Sequence, residues 1–237
     1  MKKILSLVLL ALFIFAGIFQ AGCTQPKEPN IQQPKKEEPK AEQPKTEQPK
    51  TEQPKPQQPA KQYLNPSDFF PLSVGSTWDY KGEGNEYASF TREVLFASGD
   101  RAQIRENNGG TVSAAIFNTS TDTVSRIFFM GEAYGQENFL NTEPKEDIII
   151  LKSPLQVGTK WEEPNGNREI VDMNAKVDTP AGIFDECIKV KISSKDSTLY
   201  EFYKKDIGMV KREFRSGDTV VTSSLKKYVK KSVVNVE

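Results

Sequence analysis

Residues 171–192 read VDMNAKVDTPAGIFDECIKVKI and contain two strand patterns joined by a turn. The turn is Thr179-Pro180-Ala181-Gly182, whose residue types favour a chain reversal. The apolar residues of the two arms stand at every second position: Val171, Met173, Ala175 and Val177, then Ile188, Val190 and Ile192. This alternation is typical of strands with one face toward water. The stretch therefore predicts an antiparallel hairpin and favours an all-β fold.

The same pattern continues through the chain after residue 62. Ala102 and Ile104 alternate with polar neighbours, and no window of ten or more residues has a helical stripe. A single helical turn is expected at Asn65-Pro66-Ser67-Asp68, where a capping residue precedes a proline. Further turn motifs punctuate the strands: Gly84-Asn85, Ser98-Gly99-Asp100, Asn108-Gly109-Gly110, Asn165-Gly166-Asn167 and Ser216-Gly217-Asp218. We expect about ten to twelve antiparallel strands, arranged as a meander, sandwich or open barrel.

An internal repeat bears on the architecture. The segment from Pro71 to Trp78, PLSVGSTW, recurs as PLQVGTKW from Pro154 to Trp161, at an offset of 83 residues. The repeat predicts two related halves, residues 63–150 and 151–237, each opened by a glycine turn and a strand with a core tryptophan. The run 148–151, Ile-Ile-Ile-Leu, is apolar on both faces and predicts a strand covered from two sides where the halves join.

The overall composition excludes several classes of function. The chain has 237 residues, with 32 Lys and Arg against 32 Asp and Glu, and it has no His. Without a basic surplus, nucleic acid is not an expected partner. Without imidazole, the chain cannot form a Ser-His-Asp or Cys-His catalytic unit or a His-ligated zinc site. Residues 63–237 hold 22 cations and 26 anions, so this region is mildly acidic.

The N-terminus has the features of a secretion signal. Lys2 and Lys3 precede an apolar stretch from Ile4 to Ile18, which is too short to span a membrane. Residues 1–22 are therefore predicted to be a signal peptide. Ala21-Gly22-Cys23 resembles the lipobox of bacterial lipoproteins, although Gln20 departs from its aliphatic preference. The resemblance implies a lipidated Cys23, attached to the outer face of the cell membrane; the alternative is an ordinary secretion signal that ends near a cysteine.

Residues 23–62 have the composition of an unfolded linker. They hold nine of the fifteen prolines, no aromatic residue and three copies of a Glu-Gln-Pro-Lys repeat beginning at Glu42, Glu47 and Glu52. Such a segment cannot bury enough apolar surface to offset the entropy of ordering. Because proline favours an extended backbone, we interpret it as a disordered stalk. The alternative is a tail that binds the cell wall or a partner.

The folded region also resembles a domain that recurs in uncharacterised Gram-positive bacterial lipoproteins. The resemblance covers nearly all of residues 63–237, and its motifs are turns and core aromatics. These motifs are Phe70-Pro71-Leu72 with Gly75 and Trp78-Asp79-Tyr80, then residues 179–184, 200–203 and 207–211. It implies a fold and a cell-surface location. In outline, the family is similar to half-barrel lipoproteins that carry acyl chains on a concave sheet.

Catalysis is not expected. Carboxylate pairs are the remaining acid–base candidates, as in glycoside hydrolases, and Glu162 with Glu163, or Asp79 with Glu83, stand beside turns where acidic side chains are usually solvated. A carboxylate-based hydrolase is the weakest of three hypotheses. Cys187 is expected to be an inert, semi-buried thiol. The oxygen-bearing residues 163–169 lack the spacing of a calcium loop, so neither a metal nor another cofactor is predicted.

Two functional hypotheses remain. In the first, the domain is a lipid-anchored module that binds an envelope protein or glycan through exposed aromatics, with Tyr134, Tyr200 and Tyr203 as candidates. In the second, the halves enclose an apolar cavity and carry a lipid-like ligand. The expected lining of that cavity is Phe128, Phe129, Ile149 and Leu151. We expect a monomer in either case.

Overall fold

The computed structural model describes residues 64–231. The predicted signal peptide, the linker and the lipidation site Cys23 lie outside the described residues, as do the last six positions. Within 64–231, no helix has the length and hydropathy needed to cross a membrane. The elements are a 3₁₀ helix Pro66–Phe69 and the strands β1 Thr77–Glu83, β2 Phe90–Ser98, β3 Arg101–Asn107, β4 Val112–Thr119, β5 Thr123–Met130, β6 Ile148–Lys152, β7 Lys160–Trp161, β8 Asn167–Thr179, β9 Gly182–Ser193, β10 Thr198–Lys204, β11 Gly208–Ser216 and β12 Thr219–Val229.

All twelve strands belong to one antiparallel, barrel-like sheet in the order β6-β5-β4-β3-β2-β1-β12-β11-β10-β9-β8-β7. Two six-strand meanders therefore run outward from a central pairing of β1 with β12, which places Thr77 opposite Val229 and Glu83 opposite Thr222. The expected antiparallel all-β fold is confirmed, and among the arrangements left open it is a meander in one curved, barrel-like sheet and not a sandwich of two sheets.

The turn residues stand where the sequence predicts them. Ser98-Gly99-Asp100, Asn108-Gly109-Gly110 and Ser216-Gly217-Asp218 connect consecutive strands of the meander. Gly109 and Gly217 have φ angles of 84° and 53°, in the left-handed region that glycine enters without steric cost. The predicted helical turn at 65–68 is also confirmed, as the 3₁₀ helix Pro66–Phe69.

The hairpin predicted within residues 171–192 forms as β8 and β9, with one difference from the expected burial. Ile188, Val190 and Ile192 are buried as expected. On β8, however, Val171 and Met173 are only half-buried, because register shifts between Ile170 and Asp172 and between Asp172 and Ala175 change which residues face inward. Ile170, Ala175 and Val177 are the buried apolar residues of that strand.

Strand β4 is buried on both faces, because residues 131–147 cover its outer side. Ile116 and Phe128 pack there with Leu140 in a second apolar cluster, separate from the interior of the sheet. Gln103 is 1% exposed beneath this segment, and its amide donates to Glu137 O at 2.8 Å and accepts from Phe139 N at 2.7 Å. The segment is thus fixed to the sheet by a buried amide whose nitrogen and oxygen each make a hydrogen bond.

The two copies of the eight-residue repeat make the same local hydrogen bonds. Ser76 N donates to Ser73 O at 3.1 Å, and its counterpart Thr159 N donates to Gln156 O at 3.2 Å. Gly75 N donates to the backbone of β2 at 2.9 Å, and Gly158 N donates to the backbone of β8 at 2.8 Å. The φ angles of the two glycines are 80° and 91°. Each half therefore begins with the same glycine turn.

The two repeat tryptophans are both 6% exposed and pack in the main core. The indole N–H of Trp78 donates to Ile207 O at 2.7 Å, and that of Trp161 donates to Ile149 O at 2.9 Å. Each buried indole thus has its single donor satisfied.

Candidate functional site

Strands β6 and β7 are the two ends of the sheet, and side chains join them where no strand ladder does. Ile149 N donates to Glu163 Oε1 at 2.8 Å, and Ile149 O accepts from Trp161 at 2.9 Å. Ile150 O accepts from Arg168 Nη1 at 3.4 Å. We call this junction the seam. The three side chains satisfy backbone groups of β6 that a neighbouring strand would otherwise satisfy.

A cavity of about 220 Å³ lies at the seam, and residues from both halves line it. Its surface combines four guanidinium groups with isoleucine, leucine and aromatic side chains. The lining residues are Phe70, Arg92, Phe117, Arg126, Ile148, Ile150, Glu163, Asn165, Gly166, Arg168, Ile192, Leu199, Glu201, Tyr203 and Arg212. The site is therefore a mixed apolar and cationic chamber.

Two of the four arginines are neutralised by their own carboxylates. Arg92 Nε lies 2.7 Å from Glu106 Oε2, on the adjacent strand β3. Arg126 binds Glu146 with two nitrogens, at 2.6 and 3.3 Å. Burial opposes the ionised form of Glu106, but Arg92 and Arg212 outweigh it and lower the pKa of this carboxyl. These two pairs add no net charge to the site.

The other two arginines share one carboxylate. Glu201 is 5% exposed, and its oxygens lie 3.2 Å from Arg168 Nη1 and 3.4 Å from Arg212 Nε. The Tyr203 hydroxyl donates to Glu201 Oε2 at 2.7 Å. Burial alone would raise the pKa of Glu201, but Arg168, Arg212 and the tyrosine lower it to about 2. This group therefore carries two positive charges against one negative charge.

Both of these arginines also keep a buried donor without an acceptor. Arg168 Nε and Arg212 Nε make no hydrogen bond within the described residues. Arg212 Nε is close to Glu201 Oε1, but the pair lacks hydrogen-bond geometry. Buried N–H groups are nearly always paired in folded proteins, with protein or with water, so these two donors are open to an acceptor in the cavity.

Glu163 also borders the cavity, and its role is structural. Its carboxylate accepts from Ile149 N at the seam, and it makes no salt bridge within residues 64–231. Burial raises the pKa of Glu163, and the hydrogen bond from Ile149 offsets part of that effect. Glu163 therefore does not neutralise the surplus charge on Arg168 and Arg212 by direct contact.

The chemistry of Arg168, Arg212 and Glu201 favours the binding of a ligand. Guanidinium groups stay protonated throughout the physiological range, and Glu201, with a pKa of about 2, stays ionised. An ionised carboxyl donates no proton, so Glu201 acts as a fixed negative charge near neutral pH. Forked N–H donors in a partly dry chamber are suited to holding an anion by hydrogen bonds and charge.

The three tyrosines proposed from the sequence do not form one surface. Tyr134 is 61% exposed in the segment after β5, beside a small surface pocket. Tyr200 is half-buried on β10, with the Lys189 ammonium 4.3 Å from its ring centre. Tyr203 is 1% exposed and faces inward. An offset of three puts Tyr200 and Tyr203 on opposite faces of the strand, so the expectation that Tyr203 is an exposed aromatic is wrong.

The expected lining of a carrier cavity is also wrong. Phe128 packs under residues 131–147, and Phe129 is 49% exposed. Leu151 is fully buried in the main core, and Ile149 contributes its backbone to the seam. None of these four side chains lines the cavity. The pairing of β4 with β5 shifts between Ile116 and Phe117, where Ile127 is the extra residue of β5, so Arg126 shares a face with Phe117.

The remaining sequence candidates are ordinary surface or core groups. Asp79 pairs with Lys226 at 3.4 Å, and Glu83 pairs with Lys81 at 2.9 Å. Cys187 is fully buried, and burial raises the pKa of its thiol to about 11. Across residues 64–231, no group of three or more acidic or cysteine side chains is placed to hold a metal ion.

Sequence reasoning missed Glu201 and the four arginines that line the cavity. Glu201 stands between Leu199 and Tyr203 at inward positions, and Arg92 stands between Phe90 and Val94 in the same way. A charged residue in the apolar register of a strand is a signal that a sequence can carry, since unpaired buried charges are rare. The partners come from other strands, so their pairing requires the tertiary structure.

Comparisons with known proteins show outline similarity only. No protein-family model matches the chain, and no curated protein matches it significantly. A crystal structure from Bacteroides fragilis, described as an exported protein with a YmcC-like fold, has a TM-score of 0.42 and 16% identity, covering 68% of this chain and 99% of that one. A lipoprotein structure from Parabacteroides distasonis has a TM-score of 0.36 and 17% identity, covering 68% and 98%. At these scores neither similarity bears on function.

Proposed function

We propose that this chain is a lipid-anchored extracytoplasmic protein whose β domain is a binding module, with the cavity at the seam as its binding site. The cavity carries the proposal, because it combines apolar walls with convergent guanidinium groups, two of which keep unpaired donors. Small-molecule sites in proteins typically have this composition, apolar walls with a few placed polar groups. We further propose that the module is monomeric, needs no cofactor and is not an enzyme.

The sequence supports the location. The cationic start, the apolar stretch to Ile18 and the Ala21-Gly22-Cys23 motif form a lipoprotein signal, and the proline-rich residues 23–62 separate the anchor from the domain. Two acyl chains on Cys23 hold a protein stably at a membrane, where a single chain is marginal. The domain itself is mildly acidic, so charge alone does not draw it to anionic lipid.

Metabolic labelling with palmitate tests the anchor. We expect label on the wild-type chain and none on Cys23→Ser, which is released to the medium. Cys187→Ser is the matched control, because the only other thiol is buried and remote from the signal. Label retained by Cys23→Ser, or lost from Cys187→Ser, contradicts the proposed anchor.

Native mass spectrometry of the chain purified from its own envelope tests the binding site. We expect a non-covalent adduct on the wild type that disappears in Leu199→Trp, because a larger side chain at this lining position fills the cavity. Phe214→Trp is the control. Phe214 lies on β11 and pairs with Leu199, but it does not line the cavity. An adduct that persists in Leu199→Trp, or no adduct on the wild type, counts against the cavity as the site.

A further inference from the structure

The cavity does not treat all ligands equally, because its charges are unbalanced in one place. Arg92 and Arg126 have their own carboxylates, at 2.7 and 2.6 Å. Arg168 and Arg212 share Glu201, so these three directly contacting groups hold one surplus positive charge; Glu163 lines the same cavity but binds Ile149 N instead of either arginine. A buried charge without a counter-charge is costly. A single negative charge at this point would restore the balance.

The orphaned donors mark the same point. Arg168 is 9% exposed, and both Arg168 and Arg212 line the cavity with a buried Nε–H that has no acceptor. An anion beside them would supply both the missing charge and the missing acceptors. Carboxylate oxygens match the fork of guanidinium donors.

Another part of the lining is apolar. Ile148, Ile150, Ile192 and Leu199 face the cavity, and its volume of about 220 Å³ holds about seven waters at about 30 Å³ each. An anion alone would leave these side chains against water. The chamber therefore suits a ligand with a charged end and a short apolar body.

We infer that the cavity binds a small amphipathic monoanion, with a carboxylate against Arg168 and Arg212 and a short apolar body against the isoleucine and leucine side chains. This inference rests on the proposed function and names the chemical class of its ligand. The turn Asn165-Gly166 also forms part of the lining.

The test follows the arginine Nε–H resonances by ¹H–¹⁵N NMR in the full chain carrying Cys23→Ser, titrated with hexanoate. We expect the Arg168 and Arg212 resonances to shift saturably. Arg105 is the internal control, because its Nε is also buried and unpaired but lies outside the cavity lining. An Arg105 shift as large as theirs, or no saturable shift at Arg168 and Arg212, overturns the inference.

Two further probes separate charge from apolar contact. Hexanol has the same apolar body without the charge, and inorganic phosphate has charge without the body. We expect both to bind at least about ten-fold more weakly than hexanoate, since a hydrogen-bonded charge contributes on the order of a ten-fold factor or more. Equal binding of hexanol overturns the assignment of an anion, and tighter binding of phosphate overturns the apolar body.

A variant pair completes the test. Arg212→Met is expected to weaken hexanoate binding by about ten-fold or more, whereas Arg105→Met leaves it unchanged. Equal affinities in the two variants contradict the inference. The methyl signals of Ile148 and Ile192 distinguish the two levels of the proposal. If hexanol perturbs them as hexanoate does, the cavity remains a binding site without anion selectivity; if no probe perturbs them, the binding site itself is disproved.

Discussion

The sheet has two equivalent junctions between its halves, and they are built differently. Where β1 meets β12, seven residues of β1 pair with β12 from Thr77 to Glu83 in an antiparallel ladder. At the seam, β6 and β7 are the two ends of the sheet, and no ladder joins them. The side chains of Trp161, Glu163 and Arg168 bind the backbone of β6 instead. One junction is therefore closed by backbone and the other by side chains.

This difference explains where the cavity lies. A ladder holds neighbouring strands about 4.8 Å apart, so the side chains beneath it, such as Tyr80 and Leu225, are packed and fully buried. At the seam no ladder sets this spacing, because side chains bridge the strands. The space at the seam is then lined by Arg168 and Glu201 instead of being filled by apolar groups.

The largest expected effect comes from Glu201, at the cavity. Glu201→Gln leaves Arg168 and Arg212 without their carboxylate, and we expect a loss of about 3–5 kcal/mol in the free energy of unfolding at pH 7. Glu213→Gln is the control on the same region of the sheet, where Lys211 and Arg215 pair near the surface, and it should cost less than about 1 kcal/mol. Urea denaturation measures both; equal losses contradict the central role of Glu201.

The lowered pKa of Glu201 predicts how the stability of the fold depends on acid pH. Folding lowers the pKa of Glu201 to about 2, from 4.5 for the free side chain. Above pH 4.5 the carboxyl is ionised in both states and its stabilisation is complete. Between pH 4.5 and 2 the unfolded chain binds the proton more tightly, so roughly 3 kcal/mol of stability is lost as the pH falls. The deficit of Glu201→Gln relative to wild type should shrink over this range, and a deficit independent of pH contradicts the pairing.

Substitution of two leucines compares the packing at the β1–β12 junction with the packing at the seam. Leu225 is fully buried opposite Tyr80 under the β1–β12 ladder, and Leu225→Ala should cost about 2–5 kcal/mol because it opens a cavity in a filled core. Leu199 already borders the cavity at the seam, so Leu199→Ala removes fewer contacts and should cost less than about 2 kcal/mol. Thermal or urea unfolding compares the two. A larger loss for Leu199→Ala would show that the seam is the better-packed junction.

The smallest expected effect concerns the repeat tryptophans. Trp161→Phe and Trp78→Phe each remove one buried hydrogen bond and should each cost about 1–2 kcal/mol. Their local consequences should differ. Trp161→Phe weakens the side-chain closure of β6, so the amide of Ile149 should exchange with deuterium faster. Around Trp78 the ladder persists, so exchange there should change little. Equal acceleration at both junctions would contradict the distinction between them.

Much of the fold could be predicted from the sequence because it depends on local chemistry. Period-two alternation identified strands such as β9, and Gly-rich turns identified the connections. The repeat of PLSVGSTW as PLQVGTKW pointed to the glycine turns that open each half. The pattern misled at Val171 and Met173, because bulges in β8 depend on pairing with β9 and not on the β8 sequence alone.

The candidate site was less accessible to such reasoning. Exposed aromatics and an apolar lining were expected, yet Tyr203 faces inward and Phe129 faces outward. Both depend on the phase of a strand, and a bulge or a shift of one residue reverses the face. Arg92, Arg168 and Arg212 were not singled out from the sequence, because the carboxylates that pair with them lie on other strands.

By itself, the sequence determined that this domain is an antiparallel β fold in which two repeated segments each carry a core tryptophan, since alternation and turn chemistry act over a few residues. The tertiary structure alone decided that one junction is a ladder, that the other is closed by side chains, and that arginines meet a shared carboxylate there. Those features depend on contacts between residues far apart in the chain, such as Arg168 with Glu201. Their charges become significant only when the surrounding strands exclude water.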